Sequence, residues 1–198
     1  TAVGASHVLP ASARIESTLI EPGLVRHTSP GVHGITFGEA DGTMSPRVAK
    51  VSATLERGGF KVIASPSSLE EIWRKFVFMC GFSGVCAATR LSNGPILATA
   101  ETRQLVVDAM REVAALARTQ GFRFGEDIVT QQMGFLEKRP WGFASSMLRD
   151  VQGGRPIEVE ALNGMAVRLA RESGIEVPAN RFIHACLKPF EHGTPKTP

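Results

Sequence analysis

Residues 145–178 read SSMLRDVQGGRPIEVEALNGMAVRLARESGIEVP. Two adjacent hydroxyls, Ser145 and Ser146, open one helical segment, and Gly153-Gly154-Arg155-Pro156 breaks it. Glu158 then follows Pro156 at the start of a second, amphipathic segment that Gly174 ends. The pattern predicts helices over about 141–151 and 156–173, a short one over 179–188, and a frayed Pro-rich tail at 191–198. Toward the N-terminus, Val106, Met110, Val113 and Ala117 share one face of a long helix over 101–120, closed by Gly121. A further helix is capped by Ser67 or Ser68, with Glu70 and Glu71 favoured in its first turn by the dipole. Gly81 and Gly84 interrupt its later part, allowing close packing or a bend.

The first 65 residues read differently. Strands are expected over 11–19, 24–27, 34–37 and 60–64, with a Glu-Pro-Gly turn at 21–23. The 24–27 and 34–37 pieces read as a hairpin around a Gly/Pro/His loop. Val48, Val51 and Leu55 mark a helix over 47–57, stopped by Gly58-Gly59. The fold class is therefore α/β followed by all-α: part of an α/β sheet, then a helical domain from about residue 66.

The 198 residues suffice for one domain or two small ones. A net charge of +3 without any Lys/Arg run argues against nucleic acid and suits a small acidic substrate or a phosphorylated cofactor. No apolar run reaches membrane-spanning length. Cys80, Cys86 and Cys186 are odd in number and lie in apolar surroundings, so they are expected to be buried reduced thiols of a cytoplasmic protein. Cys80 and Cys86 lack zinc-knuckle spacing, and His7, His27, His33, His184 and His192 show no metal-ligand spacing.

Three features could carry chemistry. Lys75, flanked by Trp73, Phe76 and Phe78, is either a solvated surface charge or a half-buried ammonium able to protonate a ketone oxygen while hydride arrives at carbon. Glu158 is either an acid stabilising a helix N-terminus or a carboxylate reaching a substrate hydroxyl or a cofactor ribose. Glu160, two residues on, should point elsewhere, leaving Asn163 and Gly164 structural. Ser145 or Ser146 either bonds to local backbone or binds a carboxylate; no His or Asp spacing supports a serine nucleophile. A dinucleotide site needs a strand, a Gly-x-Gly-x-x-Gly turn and a helix, and these residues contain none.

Residues 145–164, with 70–90 (EEIWRKFVFMCGFSGVCAATR), resemble the ketopantoate reductase family, and the resemblance extends from about His7 to Lys188. It implies that residues 1–65 are the second half of a Rossmann-type NADP-binding domain and that 66–190 form a helical substrate and dimerisation domain, with the active site in a cleft between the two domains. The fingerprint-bearing first half would lie outside this sequence, so the 198 residues alone are expected to turn over little. By the same resemblance Lys75 is the general acid, Asn93, Ser146 and Ser83 bind substrate, Glu158 lies near substrate and cofactor, and Leu19 lies near NADPH. Met79, Ser83 and Phe143 stand where the family carries asparagines; Ser83 could partly replace an amide, Met79 cannot. The implied activity is NADPH-dependent reduction of a 2-keto acid, first of all ketopantoate, by a cytoplasmic enzyme dimerising through its helices. The alternatives are a paralogue acting on a bulkier 2-keto acid and a non-catalytic helical interaction module.

Overall fold

The structure, a computed structural model, describes residues 3–27, 33–124 and 127–195. The chain divides into two compact units, Thr1–Ile72 and Trp73–Pro198.

In the first unit, β1 (Ala11–Ile15) pairs antiparallel with β4 (His33–Phe37), which pairs parallel with β5 (Val62–Ala64). Between β4 and β5 runs α1 (Pro46–Arg57). Ser45 caps it by accepting from the Val48 N–H at 3.3 Å, Pro46 takes the first helical position, and Val48 is fully buried. Separately, β2 (Ser17–Glu21) and β3 (Leu24–His27) form a hairpin whose turn uses Gly23 at φ 87°. Two expectations are corrected here. The single strand over 11–19 breaks at Glu16 into β1 and β2, which belong to different sheets. The 24–27 and 34–37 strands do not pair with each other: β3 pairs with β2, and β4 with β1 and β5. The loop expected between them lies at 28–32, outside the described residues, as do the last three residues of the tail.

The second unit is helical, and α2 (Ser68–Phe78) leads the chain into it. After α2 come a π-helical turn (Met79–Ser83), α3 (Gly84–Thr89), α4 (Asn93–Ala98) and α5 (Ala100–Thr119). Then follow α6 (Ile128–Glu137), α7 (Ser146–Gln152), a second π-helical turn (Glu160–Gly164), α8 (Met165–Ser173) and α9 (Pro178–Leu187). The core is built around α5, whose Val106, Met110, Val113 and Ala117 are fully buried as the spacing predicts. Both α4 and α6 escaped the periodicity. The helix expected over 141–151 starts only at Ser146, because Ser145 caps it by accepting from the Leu148 N–H at 3.1 Å. Residues 156–158 are likewise not helical.

The two π turns pack against each other and are tied by buried amides. A π turn shifts the carbonyl ladder by one residue: the Gly164 N–H donates to Val159 O, five residues back, at 2.9 Å. Asn163 Nδ2, on the second π turn, donates to Cys80 O on the first at 3.0 Å and to Asn180 Oδ1 on α9 at 2.9 Å. Asn180 Nδ2 in turn donates to Ala109 O at 3.0 Å and to Glu112 Oε2 at 2.7 Å, both on α5. Glu112 also accepts the backbone N–H groups of Ala179 and Asn180 at 2.8 and 2.9 Å, closing the α9 N-terminus. Close approach is permitted by Gly81 and Gly84: a Cβ there would lie 2.5 Å from Met110 Cγ and 2.8 Å from Ile183 Cγ2. Cys80 and Cys86 are buried as expected, and burial raises both thiols, that of Cys86 to about 12. Cys186 departs from the expectation and is exposed on α9.

Asn163→Ala would leave Cys80 O and Asn180 Oδ1 without their buried donor. The expected loss is about 1–3 kcal/mol of unfolding free energy, read from the urea midpoint. An unchanged midpoint would contradict the role given to this amide. A thiol reagent at neutral pH should label Cys186 alone in the native chain and reach Cys80 and Cys86 only after denaturation.

Candidate active site

The helical unit assembles an aromatic cluster beside a shallow groove. Phe82, on the first π turn, stacks on Phe143 with ring centroids 5.4 Å apart and planes 5° from parallel. Phe78 packs against Phe82 and, edge-on, against Phe135, each at 5.5 Å. The Arg139 guanidinium lies 3.8 Å from the Phe135 ring centroid and 5.7 Å from that of Phe143. The loop between α6 and α7 is pinned to the start of α4: the Asn93 N–H donates to Phe143 O and the Gly94 N–H to Trp141 O, both at 2.8 Å. A Cβ on Gly94 would come within 2.0 Å of the Trp141 ring, so the indole lies flat against bare backbone. The resulting groove, about 310 Å³, is lined by Asn93, Gly94, Leu97, Arg103, Arg139 and Trp141 among others.

Asn93 is buried. Its Nδ2 donates to Leu136 O at 3.0 Å, while Oδ1 has no partner among the described residues. The Leu136 carbonyl fixes the amide orientation, so Asn93 offers a ligand an acceptor and not a donor. Ser146 is exposed at the first position of α7, next to the capping Ser145, whose hydroxyl also contacts the Cys86 thiol. Ser83 is wholly buried with an Oγ that has no hydrogen-bond partner among the described residues. Asn93, Phe143, the helix carrying Ser146 and the π turn carrying Ser83 therefore share one neighbourhood. Lys75 is exposed on α2, in contrast to the half-buried setting its aromatic neighbours suggest. Met79 is partly buried at the start of the first π turn. Glu158 is exposed where the chain enters the second π turn, and its carbonyl accepts from the Leu162 N–H at 3.1 Å. Leu19 is exposed on β2 in the other unit.

Two charged groups hold roles that the sequence reading did not assign them. Arg139 sits in an Arg-Pro-Trp loop with no periodicity to mark it. Glu160 sits among basic side chains: it accepts from Lys188 Nζ at 2.7 Å, Arg168 at 2.7 Å and His184 Nε2 at 2.8 Å. The four-residue spacing of His184, on α9, and Lys188, which caps its end, was the available signal. Lys188, then His184 and Arg168, hold the Glu160 carboxyl down at about 2. No cluster of His, Cys, Asp and Glu suited to a metal occurs among the described residues, nor any helix long and apolar enough to cross a membrane.

Residues 68–191 match the family model described as "Ketopantoate reductase PanE/ApbA C terminal", over more than half of the chain. The chain belongs to the ketopantoate reductase family. It is 30% identical over 163 residues to a 2-dehydropantoate 2-reductase of Halobacterium salinarum, covering 82% of this chain and 53% of that one. The 2-dehydropantoate 2-reductase structure from Methylococcus capsulatus superposes with a TM-score of 0.82 at 29% identity, covering 92% of this chain and 58% of the other. The Geobacter metallireducens ketopantoate reductase homologue, also a 2-dehydropantoate 2-reductase, gives 0.84 at 27% identity, with 94% and 62% covered. The chain thus spans little more than half the length of the family members it matches. The α/β region followed by helices is the ketopantoate reductase architecture over that span, as the sequence led us to expect.

The depressed Glu160 carboxyl sets a pH dependence. Its folded value lies below the ordinary 4.5, so its contribution to stability is complete above about 4.5 and is lost as pH falls toward about 2. Glu160→Gln should therefore lower the unfolding midpoint at pH 7, and the gap from the parent should close between about pH 4.5 and 2. A gap that persists unchanged at pH 2 would contradict the cluster's ionic character.

Proposed function

We propose that this chain forms the substrate-facing part of an NADPH-dependent reductase of a 2-keto acid, with 2-dehydropantoate as the first candidate substrate. The observation that carries the reading is the family match over residues 68–191, the span that contains Lys75, Asn93, Ser146 and Glu158. NADPH, the second substrate, supplies hydride to C2 of the keto acid. The carbonyl π electrons move onto oxygen, and the Lys75 ammonium donates the proton that makes the hydroxyl. The Ser146 hydroxyl donates to a substrate oxygen. Asn93 Oδ1, its amide nitrogen already committed, accepts from a substrate hydroxyl. Glu158, exposed, accepts from a substrate or ribose hydroxyl, and Leu19 is the candidate for an apolar contact to the dinucleotide. The sequence carries no Gly-x-Gly-x-x-Gly turn of the kind that takes a dinucleotide pyrophosphate. No residue here is therefore assigned to the cofactor phosphates. Dimerisation through the helical unit belongs to the same proposal.

A second reading has a specific observation behind it. Phe143 stacks on Phe82, and Met79 offers no amide, so this neighbourhood is less polar than a small hydroxylated substrate would favour. A bulkier, less polar 2-keto acid fits it better. A panel of 2-keto acids graded in size, assayed by NADPH oxidation with the intact gene product, separates the two by kcat/KM.

In that protein Lys75→Met should lower kcat by about 10²–10⁴-fold, the range for a lost general acid. Ser146→Ala should act on KM, by about tenfold. Undiminished turnover in Lys75→Met and Glu158→Ala would sink the proposal and favour a helical interaction module.

A further inference from the structure

The groove beside α4 carries an unneutralised cation. Two arginines line it, but Arg103 is taken by Glu137 in an ion pair across the groove. No carboxylate among the described residues pairs with Arg139, and its Nε is buried without a hydrogen-bond partner. A guanidinium in that position is costly unless something answers it. The ring of Phe135 beneath it at 3.8 Å and that of Phe143 at 5.7 Å hold its plane without satisfying any of its N–H groups. The backbone turn presenting it is fixed at both ends, by Arg139 N–H to Leu136 O and Phe143 N–H to Pro140 O, each 2.9 Å. Besides the Arg103–Glu137 pair, the groove is lined by Leu97, Ala98, the indole of Trp141, which is 66% exposed, and the Asn93 amide.

A planar five-donor cation, an apolar wall and one buried amide acceptor select a small carboxylate with an apolar body. About 310 Å³ is at the lower end of small-ligand sites and suits a small ligand. Phosphate would satisfy the cation equally but leaves Trp141 and Leu97 with nothing to cover. The Arg139 guanidinium lies 5.7 Å from the centroid of the Phe143 ring, which stacks on Phe82 next to Ser83, and the groove itself is lined by Asn93, one of the residues assigned to substrate. We infer that this groove takes the carboxylate of the 2-keto acid, with Arg139 as its anchor and Trp141 and Leu97 against its apolar body. Arg139 thereby compensates for the polar groups that Met79 and Phe143 do not provide. The identity of the ligand rests on the reductase reading; the carboxylate site itself does not.

The test is calorimetric titration of the intact gene product with 2-oxoisovalerate and with its methyl ester, with and without saturating NADP+. The acid should bind at least about tenfold more tightly than the ester, the usual worth of a charged hydrogen bond. Arg139→Gln should erase that difference, Arg139→Lys should keep part of it, and Trp141→Ala should weaken acid and ester alike. Circular dichroism checks each variant's fold; if the glutamine variant does not fold, the lysine variant carries the comparison. Acid binding unchanged in the folded Arg139 variants overturns the inference, and turnover in those same variants would leave the reductase reading standing. Arg139-dependent acid binding in a protein that reduces no 2-keto acid would uphold the site and remove the reductase reading.

Discussion

The donation from Asn163 to the carbonyl of Cys80 is the contact on which the helical unit depends. Each π turn leaves its carbonyl ladder out of step, and a buried carbonyl without a donor is costly. One side-chain amide on the second π turn answers a carbonyl on the first, so the two irregularities stabilise each other. The same amide donates to Asn180, and Asn180 to Ala109 O and Glu112, so α9 and α5 are fixed in the same stroke. Networks of this kind are satisfied in one arrangement only, which gives the surrounding apolar packing a single register. The arrangement sets where the first π turn ends, and with it the position of Phe82 and the aromatic cluster.

Away from that network the charged groups divide by role. Glu160 is saturated by Lys188, His184 and Arg168 and acts to hold the second π turn to α8 and α9. Glu112 is spent on a helix terminus. The Arg139 Nε and the Asn93 Oδ1, by contrast, have no hydrogen-bond partner among the described residues, and both residues border the groove. Glu160 and Glu112 thus serve the scaffold, whereas Arg139 and Asn93 face the groove with hydrogen-bonding capacity left for a ligand.

Much of this was legible in the residues. The apolar spacing of Val106, Met110, Val113 and Ala117 marks the core face of α5, and Glu-Pro-Gly marks the β2–β3 turn. The glycines at 81 and 84 signal close packing. Strand partners were not legible, because alternation runs through Glu16 without a break while pairing is decided by residues far along the chain. Helix α6 was hidden by Gly134 and an apolar pattern with weak sidedness, though Asp127, accepting from the Val129 N–H, was a readable cap. Helix α4 begins Asn-Gly-Pro, which reads as a turn, although proline is tolerated in a first helical turn. Of the candidate residues, the sequence could pair Ser145 with Ser146 but not tell which would cap the helix and which remain available. Arg139 had no sequence signal, since its meaning comes from Phe135, Phe143 and the start of α4 meeting in space.

The central claim is that this helical unit serves hydride transfer to the ketone of a 2-keto acid. It is tested most directly by supplying the intact gene product with NADPH deuterated at C4 of the nicotinamide, together with ketopantoate and the graded keto acids, and analysing the products by mass spectrometry. The account predicts a 2-hydroxy acid carrying deuterium at C2. Unlabelled hydroxy acid, or no reduction of any 2-keto acid by a folded protein that binds NADPH, would contradict it.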